Sequence, residues 1–236
     1  MDLKEDAILG SDIGTHWYYK SKAIAITKYL DSIPADKILD VGAGSGFFSR
    51  YLMEKFHSSE VVCVDTGYEE SRLETVKGGS VRFEPECTSF NADLVLLMDV
   101  LEHVDDDVGL LKYYMDVVPD GAYFMITVPA FQFMWSGHDE FLEHRRRYNL
   151  SMLQTAVEAA GLEIEKSSYY FGGVFPMALV TRIAQRLLGR NEGPRSQLKR
   201  HSWLVNQMLY SLCLAELPFL ELNKLAGLSV FCLARK

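Results

Sequence analysis

Along most of the chain, short unbroken apolar runs such as VVCV, LVLLM and SVFCLA alternate with longer segments in which apolar residues recur at helical spacing. An apolar run without polar alternation suits a strand covered on both faces, and an apolar stripe every three to four residues suits a helix lying on a sheet. Strands are expected at 37–41, 60–65, 81–84, 93–98, 123–128, 162–169 and 229–234. Helices are expected at 17–32, 46–56, 69–77, 106–117 and 151–160. This alternation predicts an α/β fold with a Rossmann-like, doubly wound, seven-stranded sheet.

The rhythm breaks once. About sixty residues, 171–228, separate the sixth expected strand from the seventh, far more than a loop needs. Within them Val180, Ile183, Ala184, Leu187 and Leu188 share helical spacing while Arg182, Arg186 and Arg190 fall on other faces, predicting a basic amphipathic helix. The segment reads as a helical cap inserted between strands six and seven of a single domain spanning 1–236.

Charge and cysteine content narrow the classes. A net charge of −8 makes nucleic acid a poor partner, since duplex binding rests on Lys and Arg neutralising phosphates. Basic residues nevertheless cluster from Thr181 to His201, where Arg182, Arg186, Arg190, Arg195, Lys199 and Arg200 face only Glu192. Cys63, Cys87, Cys213 and Cys232 show no ligand spacing and read as reduced thiols. The acidic N-terminal residues lack a basic stretch followed by an apolar run, and the most apolar helical segment, 203–222, is interrupted by Glu216, Pro218 and Glu221. Neither a secretory signal nor a spanning helix is expected, and a cytoplasmic location follows.

Chemistry concentrates first in ILDVGAGSGFF. Gly42, Gly44 and Gly46 lie between an apolar strand and a helix, where residues without a Cβ let backbone approach a ligand at the helix N-terminus. A dinucleotide fingerprint places its third glycine where this chain has Phe47. The next apolar strand ends in Asp65, a carboxylate able to accept both hydroxyls of a ribose. A nucleoside-type ligand is the reading these residues support.

Thr15 to Tyr19 (THWYY), ILDVGAGSGFF, VVCVD, LVLLMDVLEHV at 94–104 and PDGAYFMITVPA at 119–130 recur here in the order found in class I S-adenosylmethionine-dependent methyltransferases. The chain resembles that family over about residues 15–165, and most resembles its ubiquinone-biosynthesis-like branch. The resemblance implies S-adenosylmethionine as cofactor and a last strand running antiparallel beside strand six. It further implies that Asp40 and the turn Gly42, Ala43, Gly44 and Gly46 surround the methionine end, and that Asp65 and Thr66 lie at the ribose. Asp99, Val100 and Leu101 would lie along the sulfonium, and His16 and Trp17 on a helix closing over it. The adenine contact stays open among Glu84, Glu86, Cys87 and Thr88.

A sulfonium methyl is already activated, so the protein's task is to align a nucleophile at ~3 Å and exclude water. Two stretches carry candidate bases: LEHV, with Glu102 and His103, and WSGHDEFLEHRRRY, where His138, Asp139 and His144 could form a base with an orienting carboxylate. His103, His138 and Asp139 are taken as the catalytic candidates. No metal site is expected, because the His138 to His144 spacing is not a standard helical ligand pair. Arg145, Arg146 and Arg147 suit either an anionic substrate or their own acidic neighbours. The cap's apolar residues, including Phe171, Val174, Phe175, Met177, Leu179, Trp203, Leu204, Met208 and Leu209, read either as the interior of a helical cap or, with the basic face, as a membrane contact through 174–204 that admits a lipid-linked acceptor. Methyl transfer to a small-molecule or lipid-linked acceptor is the expected activity. A non-catalytic cofactor-binding scaffold or sensor, or a dinucleotide oxidoreductase, are the alternatives.

Overall fold

The computed structural model describes residues 8–76, 78–188, 193–196 and 201–236, and places the run KILDV as β1 (Lys37–Val41) inside an eight-stranded sheet. β1 pairs in parallel on both sides, with β2 (Glu60–Val64) and β5 (Leu94–Met98). β4 (Gly79–Glu84) continues the sheet beyond β2, and β6 (Tyr123–Pro129) beyond β5, both parallel. β8 (Ser229–Arg235) enters antiparallel between β6 and β7 (Glu163–Tyr170), as the expected last strand should.

All seven expected strands are present, and an eighth stands where a helix over 69–77 is expected. Arg72–Val76 is β3, an edge strand antiparallel to β4, which completes the order β3-β4-β2-β1-β5-β6-β8-β7. Its pairing brings Val76 opposite Gly79, so the connection is a two-residue hairpin loop with Gly78 at φ 102°. Helical propensity loses here because Thr75 and Val76 are β-branched and two glycines follow them. Lys77, inside that expected helix, lies outside the described residues.

Successive β1 side chains alternate between two apolar layers. Ile38 packs with Tyr19, Ala23 and Ile26 of α1 (Trp17–Tyr29) and with Phe48 and Leu52 of α2 (Phe47–Phe56). Leu39 packs on the other face with Leu111 and Tyr114 of α3 (Asp107–Val117) and with Leu153 and Val157 of α5 (Leu150–Ala160), which follows the short α4 (Gly137–Phe141). The chain runs outward from β1 through β2 to β4, then returns to β5 on the other side. That reversal opens a crevice at the carboxyl ends of β1 and β5, the place where open parallel sheets bind ligands.

The cap consists of α6 (Phe175–Leu187) and α7 (Trp203–Glu216), between β7 and β8. Its hinge is held by Glu216, whose carboxylate accepts from the backbone N–H of Phe171, Gly172 and Gly173 at 2.5, 3.1 and 2.8 Å. The cap is not a buried bundle. No residue of α6 is buried and only Cys213 of α7 is, while Val180, Leu187, Leu188, Trp203, Leu204 and Met208 are between 59 and 81% exposed. Among the described residues no helix is long and apolar enough to cross a membrane.

Candidate active site

The glycine turn is built around two carboxylates. Gly42 and Ala43 donate to the carbonyl of Val64, which places the turn against the end of β2. One oxygen of Asp65 accepts from the Gly44 N–H at 2.9 Å and the other from the Gly67 N–H at 2.8 Å. An ionised carboxylate offers about four acceptor positions, so Asp65 keeps two for a ligand. Gly42 has φ 64°, and a Cβ there would meet Val100 Cγ2 at 2.7 Å. Asp40 lies beneath the turn, 2% exposed, with one oxygen accepting from Ser49 Oγ and the other without a hydrogen-bond partner. Burial raises its carboxyl to about 6; the Ser49 bond offsets part of that and the charge of Asp65 adds to it.

A cleft of about 750 Å³ runs from this turn along the carboxyl ends of the strands. Gly42, Asp65, Thr66, Asp99 and Val100 line it as expected, with Pro85, Glu86, Leu110 and Tyr114 toward its far end. A second cavity, of about 290 Å³, lies under the cap between Trp17, Tyr18, Met134, His138, Val174 and Arg182. Asp99, His103 and Leu142 line both spaces. Asp99 takes the left-handed backbone, φ 56°, at the end of β5, which is costly for a non-glycine residue and persists where its surroundings hold it. They do so here: its carboxylate pairs with the fully buried ammonium of Lys22 and accepts from Thr127 Oγ1 at 3.2 Å and Tyr18 Oη at 3.4 Å. Burial alone would raise the Asp99 carboxyl, but the Lys22 charge outweighs it and holds the group below the ordinary range.

Two loops meet at this junction, the one after β5 and the one after β6. Glu102, in the first, is fully buried and neither carboxyl oxygen has a hydrogen-bond partner. Burial, with the nearby charge of Asp99, pushes its carboxyl well above the usual range. From the second loop, Asp139 is also fully buried, and its oxygens meet Arg147 Nε at 2.6 Å, Arg147 Nη2 at 3.0 Å and His144 Nδ1 at 3.0 Å. Burial pushes the Asp139 carboxyl upward, but the His144 bond and the Arg147 charge prevail and hold it well below the usual range. The His103 and His144 rings stand edge to face with centroids 4.7 Å apart.

The arginine triplet engages its own chain. Arg145 donates to the carbonyl of His103 and to Asp105, at 2.8 Å each, and Arg146 to the carbonyls of Val104 and Asp105 at 2.9 and 2.7 Å. These bonds pin the β6 loop onto the β5 loop.

The structure therefore gathers most, but not all, of the expected residues. His103 and His138 face the cavity under the cap; Asp139 does not, being enclosed by Arg147 and His144, so it positions His144 instead of acting on a ligand. Trp17 lines the same cavity, whereas His16 packs against Tyr19 and His201 and faces a separate groove beside α7. Leu101 is fully buried, and Ala43, Gly44 and Gly46 form the turn behind the cleft wall. Sequence reasoning did not single out Lys22 or Tyr114 as site residues. Lys22 follows Lys20 and Ser21 in the helix and carries no distinguishing mark in the sequence.

Residues 16–167 match the methyltransferase domain family. No curated protein sequence matches the chain. Among solved structures, a SAM-dependent methyltransferase from Archaeoglobus fulgidus is 15% identical with TM-score 0.54, over 99% of this chain and 98% of that one. One from Mesorhizobium loti is 15% identical with TM-score 0.53, over 92% and 98%. A phosphoethanolamine N-methyltransferase from Haemonchus contortus, solved with phosphomonomethylethanolamine and S-adenosylhomocysteine, is 16% identical with TM-score 0.54, over 100% of this chain and 61% of that one. At these identities the likeness speaks for the fold.

Removing one partner of a buried ion pair strands the other charge, at a typical cost of ~3–5 kcal/mol. Arg147→Leu is expected to destabilise the protein by about that amount in denaturant unfolding. A loss under about 0.5 kcal/mol, typical of an exposed pair, would mean that water screens Asp139.

Proposed function

The chain belongs to the methyltransferase domain family and is a class I S-adenosylmethionine-dependent methyltransferase, and from that premise we propose that it methylates a hydroxyl of an amphipathic, lipid-linked acceptor at the cytoplasmic face of a membrane. The observation that carries this reading is the junction: the glycine-turn cleft and the cavity under the exposed apolar cap share Asp99 and His103.

S-adenosylmethionine supplies a methyl already activated on its sulfonium. The residues of the turn suit such a ligand: Asp40 has a buried oxygen free to receive an ammonium or a bridging water, Asp65 has spare acceptor positions for a ribose, and Gly42 leaves the space a side chain would fill. Asp99, Val100 and the aromatic faces of Trp17 and Tyr18 would border the sulfonium, where carboxylates and rings favour positive charge. Pro85, Glu86, Leu110 and Tyr114 would take the adenine end. In the second cavity, His103 and His138 are the groups placed to accept the proton that an acceptor hydroxyl loses. In line transfer then needs only that the acceptor oxygen come from the cap side as the methyl comes from the cleft side.

The cap supports the choice of acceptor. Val180 and Leu187 on α6, Leu188 just after it, and Trp203, Leu204 and Met208 on α7 are exposed apolar side chains in the same cap as Arg182 and Arg186, a combination suited to an anionic membrane. Val174, Ala178 and Arg182 belong to this cap and also line the acceptor cavity, so a headgroup could enter while its tail stays in lipid. Arg190, Lys199 and Arg200 of the expected basic face lie outside the described residues. Neither the scaffold nor the oxidoreductase alternative has an observation of its own behind it.

Calorimetric titration tests the cofactor site first. S-adenosylmethionine and S-adenosylhomocysteine are expected to bind and NAD not to; Asp65→Ala should weaken S-adenosylhomocysteine by ~1.5–3 kcal/mol, the worth of a hydrogen bond to a charged group. Unchanged affinity would remove Asp65 from the ribose.

The raised Asp40 carboxyl adds a pH dependence. In the free protein it holds its proton up to about pH 6, whereas a bound ammonium favours the carboxylate, so binding must release that proton below this pH. Affinity should therefore fall as pH drops through about 6 and on toward 5, and this slope should vanish in Asp40→Asn. A pH-independent affinity would place the methionine end elsewhere.

For the membrane, the double change Arg182→Glu and Arg186→Glu should abolish sedimentation with vesicles of phosphatidylcholine and phosphatidylglycerol. Equal sedimentation of the variant and the parent would leave the cap as a substrate cover only.

A further inference from the structure

We propose that Glu102, His103 and His144 form a divalent transition-metal site of the zinc type, placed where the acceptor cavity meets the cofactor cleft. One carboxylate oxygen of Glu102 and one ring nitrogen from each histidine lie within 4.8 Å of one another. Bound at ~2.0–2.2 Å from each in tetrahedral geometry, an ion would hold these atoms ~3.4 Å apart, inside the distance within which they already stand.

Three independent features point to an ion there. Glu102 is fully exposed to no solvent and neither of its oxygens has a hydrogen-bond partner, an arrangement that is costly unless a proton or a cation compensates it. His144 is oriented by the buried carboxylate of Asp139 at its Nδ1, leaving Nε2 as the ligand atom, and a carboxylate behind a ligating imidazole is the usual support of a metal histidine. The loops that carry the three groups are bolted together by Arg145 and Arg146, so the cluster does not depend on a mobile element to assemble. A nitrogen-rich donor set with a single carboxylate suits zinc better than magnesium or calcium, which favour oxygen ligands. The pair His138 and His144, considered from spacing, is not the one brought together.

Three protein ligands leave an open position facing the acceptor. The proposal rests on the methyltransferase reading and deepens it, since it identifies the acceptor as an oxygen nucleophile. The ion would bind the acceptor hydroxyl and lower its pKa, and the proton would pass to His138, the imidazole that is not a ligand. The oxygen then forms its bond to the methyl carbon as the carbon–sulfur bond breaks, with that electron pair remaining on sulfur to give neutral S-adenosylhomocysteine. Charge balances: the sulfonium's positive charge leaves as the proton.

The test is metal uptake by the whole protein, stripped with chelator and then titrated with Zn2+ alone, and with Co2+ for its visible absorption. One equivalent of Zn2+ with a raised Tm, and a Co2+ spectrum of low-symmetry nitrogen and oxygen ligation, are expected. Both should be lost in Glu102→Gln and in His144→Ala. S-adenosylhomocysteine binding, measured on the same samples, verifies that the variants fold and keeps the cofactor reading separate. No uptake by the parent, or uptake undiminished in either folded variant, would overturn the site while leaving methyl transfer standing. Should a neutral buried acid be all that Glu102 is, Glu102→Gln would be close to neutral in Tm and would leave Zn2+ without effect in both proteins.

Discussion

The buried pair between Lys22 and Asp99 is the interaction on which the site depends. Lys22 comes from α1 and Asp99 from the end of β5, so the pair ties the N-terminal helix to the sheet at the point where both cavities meet. A carboxylate partly withdrawn from water is pushed toward its protonated form, and a left-handed non-glycine backbone would ordinarily relax. The ammonium prevents the first, and together with the Thr127 hydroxyl and carbonyl it opposes the second. Burial pushes the neighbouring Glu102 toward its neutral form, and the charge on Asp99 adds to that push. One ion pair thereby decides the electrostatics of the whole junction.

A second buried charge, Asp139, does comparable work for the loop after β6. Arg147 neutralises it, Ser136 closes a capping box on it, and His144 is turned by it toward the first loop. Buried ion pairs of this sort contribute little net stability against an apolar alternative of equal volume, but they specify a single arrangement where several apolar packings would compete. A site that must hold an acceptor within a few tenths of an ångström of a methyl donor gains from that specification more than from stability.

The parts of this protein that were legible in the sequence are the local ones. β1, the glycine turn and α2 are contiguous, so spacing alone places Gly42, Gly44 and Gly46 at a ligand-facing helix start, and Asp65 follows because it ends the next apolar run. β3 was not legible, since a half-exposed five-residue edge strand carries no long periodicity and its pairing is set by the Gly78–Gly79 turn. The arginine triplet could not be resolved between substrate and self because its actual partners are mostly backbone carbonyls, which leave no mark in a sequence. Glu102, His103 and His144 were each candidates, but their meeting was not legible, because about forty residues separate the two loops and only the fold brings them side by side. For the cap, helical spacing of apolar residues describes a buried face and an exposed one equally well, and only the finding that no residue of α6 is buried separates them.

Charge also gives the two cavities their direction. The Lys22 and Asp99 charges offset each other, and the junction presents carboxyl oxygens and the rings of Trp17 and Tyr18. Such a surface stabilises a sulfonium through its positive charge, by ring quadrupoles as well as by oxygen dipoles, and offers the neutral thioether of the product little in return. On the proposed reading the methylated acceptor would be the more apolar species, and the cavity that would hold it lies under a cap whose helices expose apolar side chains.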